Sequence, residues 1–229
     1  MPNTKLWYLK NFNFIEACDD EMRDFIHRQT SMKCYAKKQP IYFPGDPSDT
    51  IFLLKEGQVK ISKLTEDGRQ VILDVLGQGE IFGELSLLDD NQPRDEIAES
   101  VGEAIVCSIQ RKHFEKALEK NPSAHLEVTK RIGLKLRKFE EKLSEMLFKD
   151  VRKRIAGFLV HHAEDYGTIK QGVITIKTNL SHEDIGSLTG AARQTVSTVM
   201  NELKSAGMID FTRKTIIIYD LDKLREYAE

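Results

Sequence analysis

The stretch Ser181–Ala206, SHEDIGSLTGAARQTVSTVMNELKSA, predicts two short helices joined by a glycine turn. Ser181 is a favourable N-cap, and the acidic residues after it suit the positive end of a helix dipole. Gly190 stands where a residue with positive φ ends a helix at little cost. The second helix carries apolar residues at helical spacing: Val196, Val199, Met200 and Leu203. With the small Gly186 in the first helix, this spacing predicts a helix-turn-helix.

The side chains expected to face outward near the start of the second helix suit contacts with nucleic acid. Arg193, Gln194, Ser197 and Thr198 can hydrogen-bond to base edges and phosphates. Other helical hairpins need apolar periodicity and a turn, but they do not need these spacings. We therefore expect this stretch to bind DNA.

The composition indicates an ordinary globular protein of one or two domains, with 229 residues and 40% apolar side chains. No window is apolar for long enough to cross a bilayer. The N-terminal MPNTKLWYLKNFNF lacks the features of a secretory signal. The three cysteines (Cys18, Cys34 and Cys107) are widely spaced and include no C-x-x-C pair, which favours reduced thiols in a cytoplasmic protein.

The net charge of −2 does not by itself indicate a nucleic-acid binder. Positive charge is concentrated in residues 128–149, which hold seven Lys and Arg against three Glu. Residues 150–229 balance 11 basic against 11 acidic side chains. The expectation of DNA binding therefore depends on the motif and on local charge.

The first half of the chain is rich in short strands and turns. Residues 14–30 predict a helix, after which short β-type runs are separated by turns, and six of the 14 glycines fall between residues 45 and 83. Glu66–Arg69 is a credible hairpin turn between two alternating runs. The pattern predicts a small β-roll that ends near residue 110.

A long helix is predicted from Pro122 to Phe148. Its apolar residues form a heptad seam, with successive spacings of 4, 3, 4 and 3: Ile132, Leu136, Phe139, Leu143 and Met146. Such a seam can pack on its own domain or on a partner helix. Because Leu134 and Leu147 offer a second apolar face toward the roll, we expect the seam to form a parallel homodimer.

The C-terminal part predicts a helix over residues 150–165, the strand VITIKT, and two further strands, MIDF and TIIIY. The last two are joined at Thr212-Arg213-Lys214, and a short helix, LDKLREYA, follows. A helix-turn-helix followed by a two-stranded hairpin is a winged-helix domain.

The order of these parts resembles the CRP/FNR superfamily of bacterial transcription regulators over nearly the whole chain. The resemblance implies an α+β fold with a sensor β-roll (a double-stranded β-helix, or jelly roll) at residues 1–121. It implies a dimerisation helix and hinge at 122–149 and a winged helix-turn-helix DNA-binding domain at 150–229. It also implies a cytoplasmic homodimer that binds double-stranded DNA at a near-palindromic operator and works with RNA polymerase.

The segment Gly83–Arg94, GELSLLDDNQPR, resembles the phosphate cassette of members that bind cyclic nucleotides. In those members the residues matching Glu84 and Arg94 take the ribose hydroxyl and the cyclic phosphate. The resemblance therefore gives a candidate effector pocket, made of Gly83, Glu84, Leu85, Arg94, Phe139 and Glu140. An alternative is that Glu84 and Arg94 form an ion pair or structural hydrogen bonds within the roll.

The cassette departs from the nucleotide-binding pattern after the arginine. Asp95 and Glu96 replace the usual Ser or Thr and small residue, and two carboxylates would repel a phosphate. On the long helix, Phe139 and Glu140 match positions that contact adenine in members that bind cyclic AMP. We therefore expect an effector other than a cyclic nucleotide, of unknown identity.

The resemblance also assigns roles in the DNA-binding domain. Positions that often read bases match Arg193, Gln194 and Thr198, with Ser197 beside them. His182, Arg213 and Lys214 are expected to contact phosphates. Many relatives have Glu at the position of Gln194 and Arg at that of Thr198, so the half-site is expected to differ from theirs.

Other functions fit the sequence less well. The cysteines do not form the N-terminal cluster of iron–sulfur members, and only His113, His125 or a cysteine could ligate haem. No histidine lies between His27 and His113, so the roll lacks the metal ligands of catalytic cupins, and we expect neither an enzyme nor a metal site of that type. Two alternatives remain: a cyclic-nucleotide sensor whose C-terminal domain contacts proteins, and a regulator that needs no ligand.

Overall fold

The computed structural model describes residues 19–87 and 92–229. The N-terminal segment, the first five residues (14–18) of the helix predicted at 14–30, and the middle of the cassette loop lie outside the described residues. The chain divides into two compact units, one made of residues up to 64 with 74–139, the other of 65–73 with 140–229. Among the described residues no helix is long and apolar enough to span a membrane.

The first unit is a β-roll with flanking helices. It opens with helix α1 (Asp20–Gln29), whose N-cap carboxylate at Asp19 accepts from Met22 N. Eight strands follow: β1 (Thr30–Tyr35), β2 (Pro40–Tyr42), β3 (Thr50–Glu56), β4 (Val59–Leu64), β5 (Gln70–Leu76), β6 (Ile81–Phe82), β7 (Ile97–Ser100) and β8 (Ala104–Gln110). A single 3-10 turn, Glu84–Leu87, follows β6. Helices α2 (Arg111–Lys120) and α3 (Pro122–Phe148) come after the strands, and both β5 and α3 run across the boundary between the two units.

Two four-stranded sheets form the roll, in the orders β1-β8-β3-β6 and β2-β7-β4-β5. Alternate side chains of both sheets fill the space between them, among them Tyr42, Phe52, Leu54 and Val106. Helices α1 and α2 and the start of α3 cover the outer face of the first sheet over Ile51 and Ile109. The predicted β-roll is therefore confirmed.

Helix α3 contacts the roll through basic side chains. Arg131 donates to Gly79 O, Lys135 donates to Ile81 O at 2.8 Å, and Lys138 lies 4.0 Å from Glu80. Leu134, within the first unit, is half-buried, whereas Leu147, in the second, is 68% exposed. The long stems of Lys and Arg cover apolar surface while their charged ends reach carbonyls, which explains how basic residues replace an apolar face.

The second unit contains the predicted winged helix. Its elements are helix α4 (Val151–Tyr166), strands β9 (Gly167–Lys170) and β10 (Val173–Lys177), helices α5 (His182–Thr189) and α6 (Arg193–Ser205), strands β11 (Ile209–Phe211) and β12 (Thr215–Ile218), and helix α7 (Leu221–Ala228). The strands form one sheet in the order β11-β12-β10-β9. The expected two-stranded wing is thus half of a four-stranded sheet, because β9 pairs with β10 and β10 pairs with β12. Strand β9 was not predicted, since GTIK is too short to show an alternating pattern.

Candidate DNA-binding surface and effector pocket

Helix α5 begins and ends as its sequence requires. Ser181 Oγ accepts from Asp184 N at 3.1 Å, and Asp184 accepts in return from Ser181 N at 2.7 Å, which completes a capping box. At the other end Gly190 has φ of 64° and ends the helix in the left-handed conformation. Both predicted boundaries of the first helix are confirmed.

The turn between α5 and α6 is tight because Gly186 has no side chain. A Cβ built on Gly186 would lie 2.5 Å from Ala191 O, and Ala191 N donates to Gly186 O at 2.8 Å. Helix α5 and the turn that leads into α6 therefore come closest at Gly186, the small residue on which the prediction of a helix-turn-helix depended. This contact sets the angle at which α6 leaves the turn.

Arg154, on α4, donates hydrogen bonds to carbonyls at the ends of two helices, and the sequence did not predict this role. Its Nε donates to Thr189 O at 2.8 Å and its Nη1 donates to Lys149 O at 2.7 Å. These are carbonyls at the ends of two helices, α5 and α3, which have no partner within their own helix. The local sequence does not predict this role of Arg154. Thr189 lies 35 positions away in the chain, and Lys149 follows the end of the preceding helix.

Helix α6 buries one side and exposes the other. Val196, Val199, Met200 and Leu203 are each at most 1% exposed, which confirms the predicted inner face. The outward candidates divide into exposed Arg193, Gln194 and Thr198 and half-buried Ser197. No side chain caps the N-terminus of α6, so the backbone N–H groups of its first turn are open to an acceptor.

The candidate phosphate contacts lie close to this helix. The His182 ring meets the Phe211 ring edge-on at 5.7 Å, which joins the start of α5 to the strand that leads into the wing. Burial, followed by the positive charge of Arg193, lowers the pKa of His182. The lowered pKa favours the neutral, hydrogen-bonding form of the His182 ring. Arg213 and Lys214 are exposed in the turn between β11 and β12.

The hairpin that joins β4 and β5 also contacts the helix-turn-helix. Ile72 N donates to Ser187 Oγ of α5 at 2.7 Å, and Lys142 Nζ donates to Leu73 O at 3.0 Å. Both bonds lie within the second unit, to which residues 65–73 belong. The sequence predicted this hairpin but not its partner, since the contact joins residues 115 positions apart.

In the first unit, the predicted effector residues are held by internal contacts. Glu84 Oε1 pairs with Lys135 Nζ of α3 at 2.6 Å, with 19% and 27% of the two side chains exposed. Arg94 is 8% exposed and donates to Thr50 O at 2.5 Å. Neither pairs with the other, so the alternative of an ion pair between Glu84 and Arg94 is wrong, whereas structural hydrogen bonding holds for Arg94.

Aromatic rings surround the Arg94 guanidinium. Its Cζ lies 4.2 Å from the Tyr42 ring centroid and 5.3 Å from that of Phe52. Gly83 makes room for it, because a Cβ there would lie 2.9 Å from Arg94 Nη1. Cation–π contact and the bond to a carbonyl therefore satisfy the charge inside the roll.

The carboxylates that follow Arg94 have other partners. Asp95 pairs with Lys63 at 2.6 Å rather than neutralising Arg94. Glu96 accepts from Tyr42 Oη at 3.5 Å. Burial, followed by the charges of Asp95 and Glu84, raises the pKa of Glu96. Contacts within the roll therefore hold both carboxylates, and burial favours the neutral form of Glu96.

The remaining predicted pocket residues lie on the surface. Leu85 is half exposed, and Phe139 and Glu140 are exposed on α3. The other four seam residues, Ile132, Leu136, Leu143 and Met146, are also exposed, by between 42% and 60%. The stripe is therefore exposed to solvent in the single chain.

The histidines considered for haem are placed at the surface or against an aromatic ring. His125 is exposed on α3, and the half-buried His113 meets Phe25 edge-on at 6.2 Å. Cys107 lies in strand β8 and is half-buried.

Comparisons with known proteins agree with this architecture. Residues 32–121 match the family described as cyclic nucleotide-binding domain, and residues 153–227 match the Crp-like helix-turn-helix domain. The CRP-like cAMP-activated global transcriptional regulator of Mycobacterium tuberculosis is 29% identical over 198 residues, covering 83% of this chain and 88% of that protein. The global nitrogen regulator of Nostoc is 28% identical, covering 82% and 85%.

Solved structures show the same fold over nearly the full length. A CooA mutant from Carboxydothermus hydrogenoformans superposes with a TM-score of 0.78 at 25% identity, covering 96% of this chain and 97% of that one. The two matched domains together account for most of the chain and occur in the order that the sequence predicted. The chain belongs to the CRP/FNR family of DNA-binding transcription regulators.

Proposed function

We propose that the protein is a cytoplasmic homodimer that binds a near-palindromic DNA operator and regulates transcription with RNA polymerase. The observation that carries this proposal is the exposed side of α6, with Arg193 and Gln194 at its first turn on a rigid helix-turn-helix. The exposed seam on α3 supplies the two-fold contact. A two-fold dimer places two recognition helices in successive major grooves, about 34 Å apart.

In this proposal residues 1–121 sense a signal, residues 122–149 dimerise and residues 150–229 bind DNA. Two contacts could transmit the signal. The Glu84–Lys135 pair ties the cassette to the dimer helix within the first unit. The Ile72–Ser187 bond ties the β4–β5 hairpin to α5 within the second. A ligand that binds more tightly to a conformation in which one of these contacts is broken would shift the protein toward that conformation.

Arg193→Ala tests the reading of DNA. Loss of a bidentate contact to a guanine is expected to weaken binding to the preferred site by about 1–3 kcal/mol and to relax base preference at one position. Fluorescence anisotropy with the preferred duplex and single-base variants measures both effects.

Arg213→Ala is expected to weaken binding to every sequence and to reduce its salt dependence. Lys223→Ala, on α7, is the matched control and should bind like the native protein. Unchanged affinity and unchanged sequence preference of Arg193→Ala would contradict the assignment.

We further propose that the effector is not a cyclic nucleotide. Its phosphate would have to draw Arg94 out of the Tyr42 and Phe52 rings and lie beside Asp95 and Glu96. Its ribose would compete with Lys135 for Glu84. The cAMP in the name of the mycobacterial relative is a property of that protein.

Calorimetry with cyclic AMP and cyclic GMP tests this proposal. We expect no binding tighter than about 1 mM, which corresponds to roughly −4 kcal/mol. Stoichiometric micromolar binding that is lost in Arg94→Ala would contradict it. A native melting profile of Arg94→Ala would show that the loss comes from the contact and not from unfolding.

A further inference from the structure

Three sulfur-containing side chains lie together on one face of the roll. Strands β1 and β8 pair antiparallel, with Met32 directly opposite Cys107 and Cys34 directly opposite Ile105. Directly opposite residues share a face, and so do residues two apart on one strand. Met32, Cys34 and Cys107 therefore occupy one face, which we call the sulfur patch.

The sulfur patch is on the outer face of the sheet. Ile109 follows Cys107 by two residues on β8 and packs under helices α1 and α2, outside the roll. Val106, the neighbour of Cys107 on the same strand, points the opposite way, into the roll core. The helices cover the Ile109 end of this face, whereas Met32 is 61% exposed, Cys34 is exposed and Cys107 is half-buried. Both thiols are free.

The spacing of the two thiols suits a bridging ion better than a direct bond. Cys34 and Cys107 are diagonal neighbours, whose Cα atoms are about 7–8 Å apart in antiparallel pairs. A disulfide needs Cα atoms within about 4.4–6.8 Å. A metal ion between two sulfurs, with bonds of about 2.3 Å each, spans the larger distance without backbone movement.

The donor set selects the class of ion. Met32 faces Cys107 across the pair, and Lys55 Nζ donates to Met32 Sδ at 3.8 Å, a contact that a copper ion would have to displace. Thiolate and thioether ligands together select soft ions such as copper(I), whereas zinc takes Cys, His and carboxylates. Among the residues that the structure describes, no three His, Cys, Asp or Glu side chains are grouped to hold a metal.

We propose that Met32, Cys34 and Cys107 form a binding site for one copper(I) ion per chain. Each thiol that becomes a ligand releases its proton to solvent, and the copper does not change its oxidation state. Two thiolates and one thioether give a trigonal, all-sulfur site on the outer face of the sensor roll. The site is separate from the cassette of Glu84 and Arg94, and it does not depend on the proposed operator binding.

The test is an anaerobic titration of full-length reduced protein with copper(I), using bicinchoninate as the competing chelator. A Cys18→Ser background removes the third cysteine. We expect one copper(I) per chain and an X-ray absorption spectrum with sulfur as the only neighbouring donor. Cys34→Ser and Cys107→Ser should each weaken binding at least tenfold, and Met32→Leu severalfold. Met208→Leu, in the winged helix, should bind like the background protein.

Several outcomes would overturn the proposal. These are no uptake of copper from the chelator, nitrogen or oxygen donors in the spectrum, or full binding by the Cys34→Ser/Cys107→Ser double variant. Unchanged melting profiles of the serine variants are expected because the substitutions are nearly isosteric and lie at the surface. The absorption spectrum of the background protein tests the donor set even where a variant fails to fold.

Discussion

Leu136→Asp is expected to weaken dimerisation at least a hundredfold and to abolish specific DNA binding at submicromolar concentration. Leu136 is 60% exposed at the centre of the α3 seam, between Ile132 and Phe139. Burying a leucine contributes about 1.5–3 kcal/mol, and a two-fold interface buries it twice. The resulting loss of about 3–6 kcal/mol corresponds to a factor of roughly 10² to 10⁴. Two aspartates facing each other add like-charge repulsion.

Sedimentation velocity over a range of concentrations measures the dimer constant, and anisotropy with the operator measures the consequence for DNA binding. Ser144→Asp is the matched control, because it adds the same charge to the same helix at an exposed position away from the seam. It should leave the dimer intact. A Leu136→Asp protein that dimerises like the native chain would show that the exposed stripe is not the interface.

Gly186→Ala is expected to open the helix-turn-helix. The new Cβ would meet Ala191 O at 2.5 Å, and because that oxygen belongs to the backbone, the turn itself has to move. The shift also strains the Ala191 N–Gly186 O bond. We expect a local destabilisation of about 3 kcal/mol, at the upper end of the usual cost of overpacking. DNA binding should fall with it, since the direction of α6 depends on this contact.

Gly190→Ala is the matched control for the turn. Gly190 has φ of 64°, but the nearest atom to a Cβ there is Arg154 Nη2 at 3.7 Å. Alanine at Gly190 therefore suffers only backbone strain of about 1–2 kcal/mol. Hydrogen exchange of peptides covering residues 182–205 gives the opening free energy of the two helices in each variant. An equal or larger effect of Gly190→Ala would show that conformation, and not close approach, makes the turn require glycine.

The local part of the fold was predictable because it depends on residues close in sequence. The capping box at Ser181, the turn at Gly190 and the inner face of α6 follow from spacing and propensity alone. The roll was predictable as a type, because glycine turns between alternating runs allow few other arrangements. The long helix was predictable from its heptad seam.

The contacts of the candidate sites were not predictable, because they join distant parts of the chain. Lys135 looks like one more surface lysine until α3 places it 2.6 Å from Glu84. Arg94 has the spacing of a phosphate ligand, yet Tyr42 and Phe52 from two other strands hold it inside the roll. The spacing of a motif shows which residue types are present and how far apart they are in sequence. Which group each charged side chain contacts depends on how distant parts of the chain pack together.

The roles of Arg193 and Gln194 stay predictions, since they concern a duplex that the single chain does not contain. The structure supports them by exposing both side chains at the first turn of a helix whose other face is buried. From the resemblance to the family, we expect two residues at the reading positions, Gln194 and Thr198, to differ from those of many relatives. The operator is therefore expected to be distinct from the site that those relatives share.

Selection of bound duplexes from a random-sequence library, carried out in parallel with the native protein and Arg193→Ala, tests the central claim most directly. Without effector, only a fraction of the protein is in the binding-competent state, and this raises the apparent Kd for DNA. The selection therefore uses a correspondingly higher protein concentration. We predict that the native protein enriches an inverted repeat with half-site centres about 10–10.5 base pairs, or one further helical turn, apart. The Arg193→Ala protein should enrich the same repeat with one guanine position relaxed in each half. No enrichment by the native protein, or identical sequences from both proteins, would contradict the account.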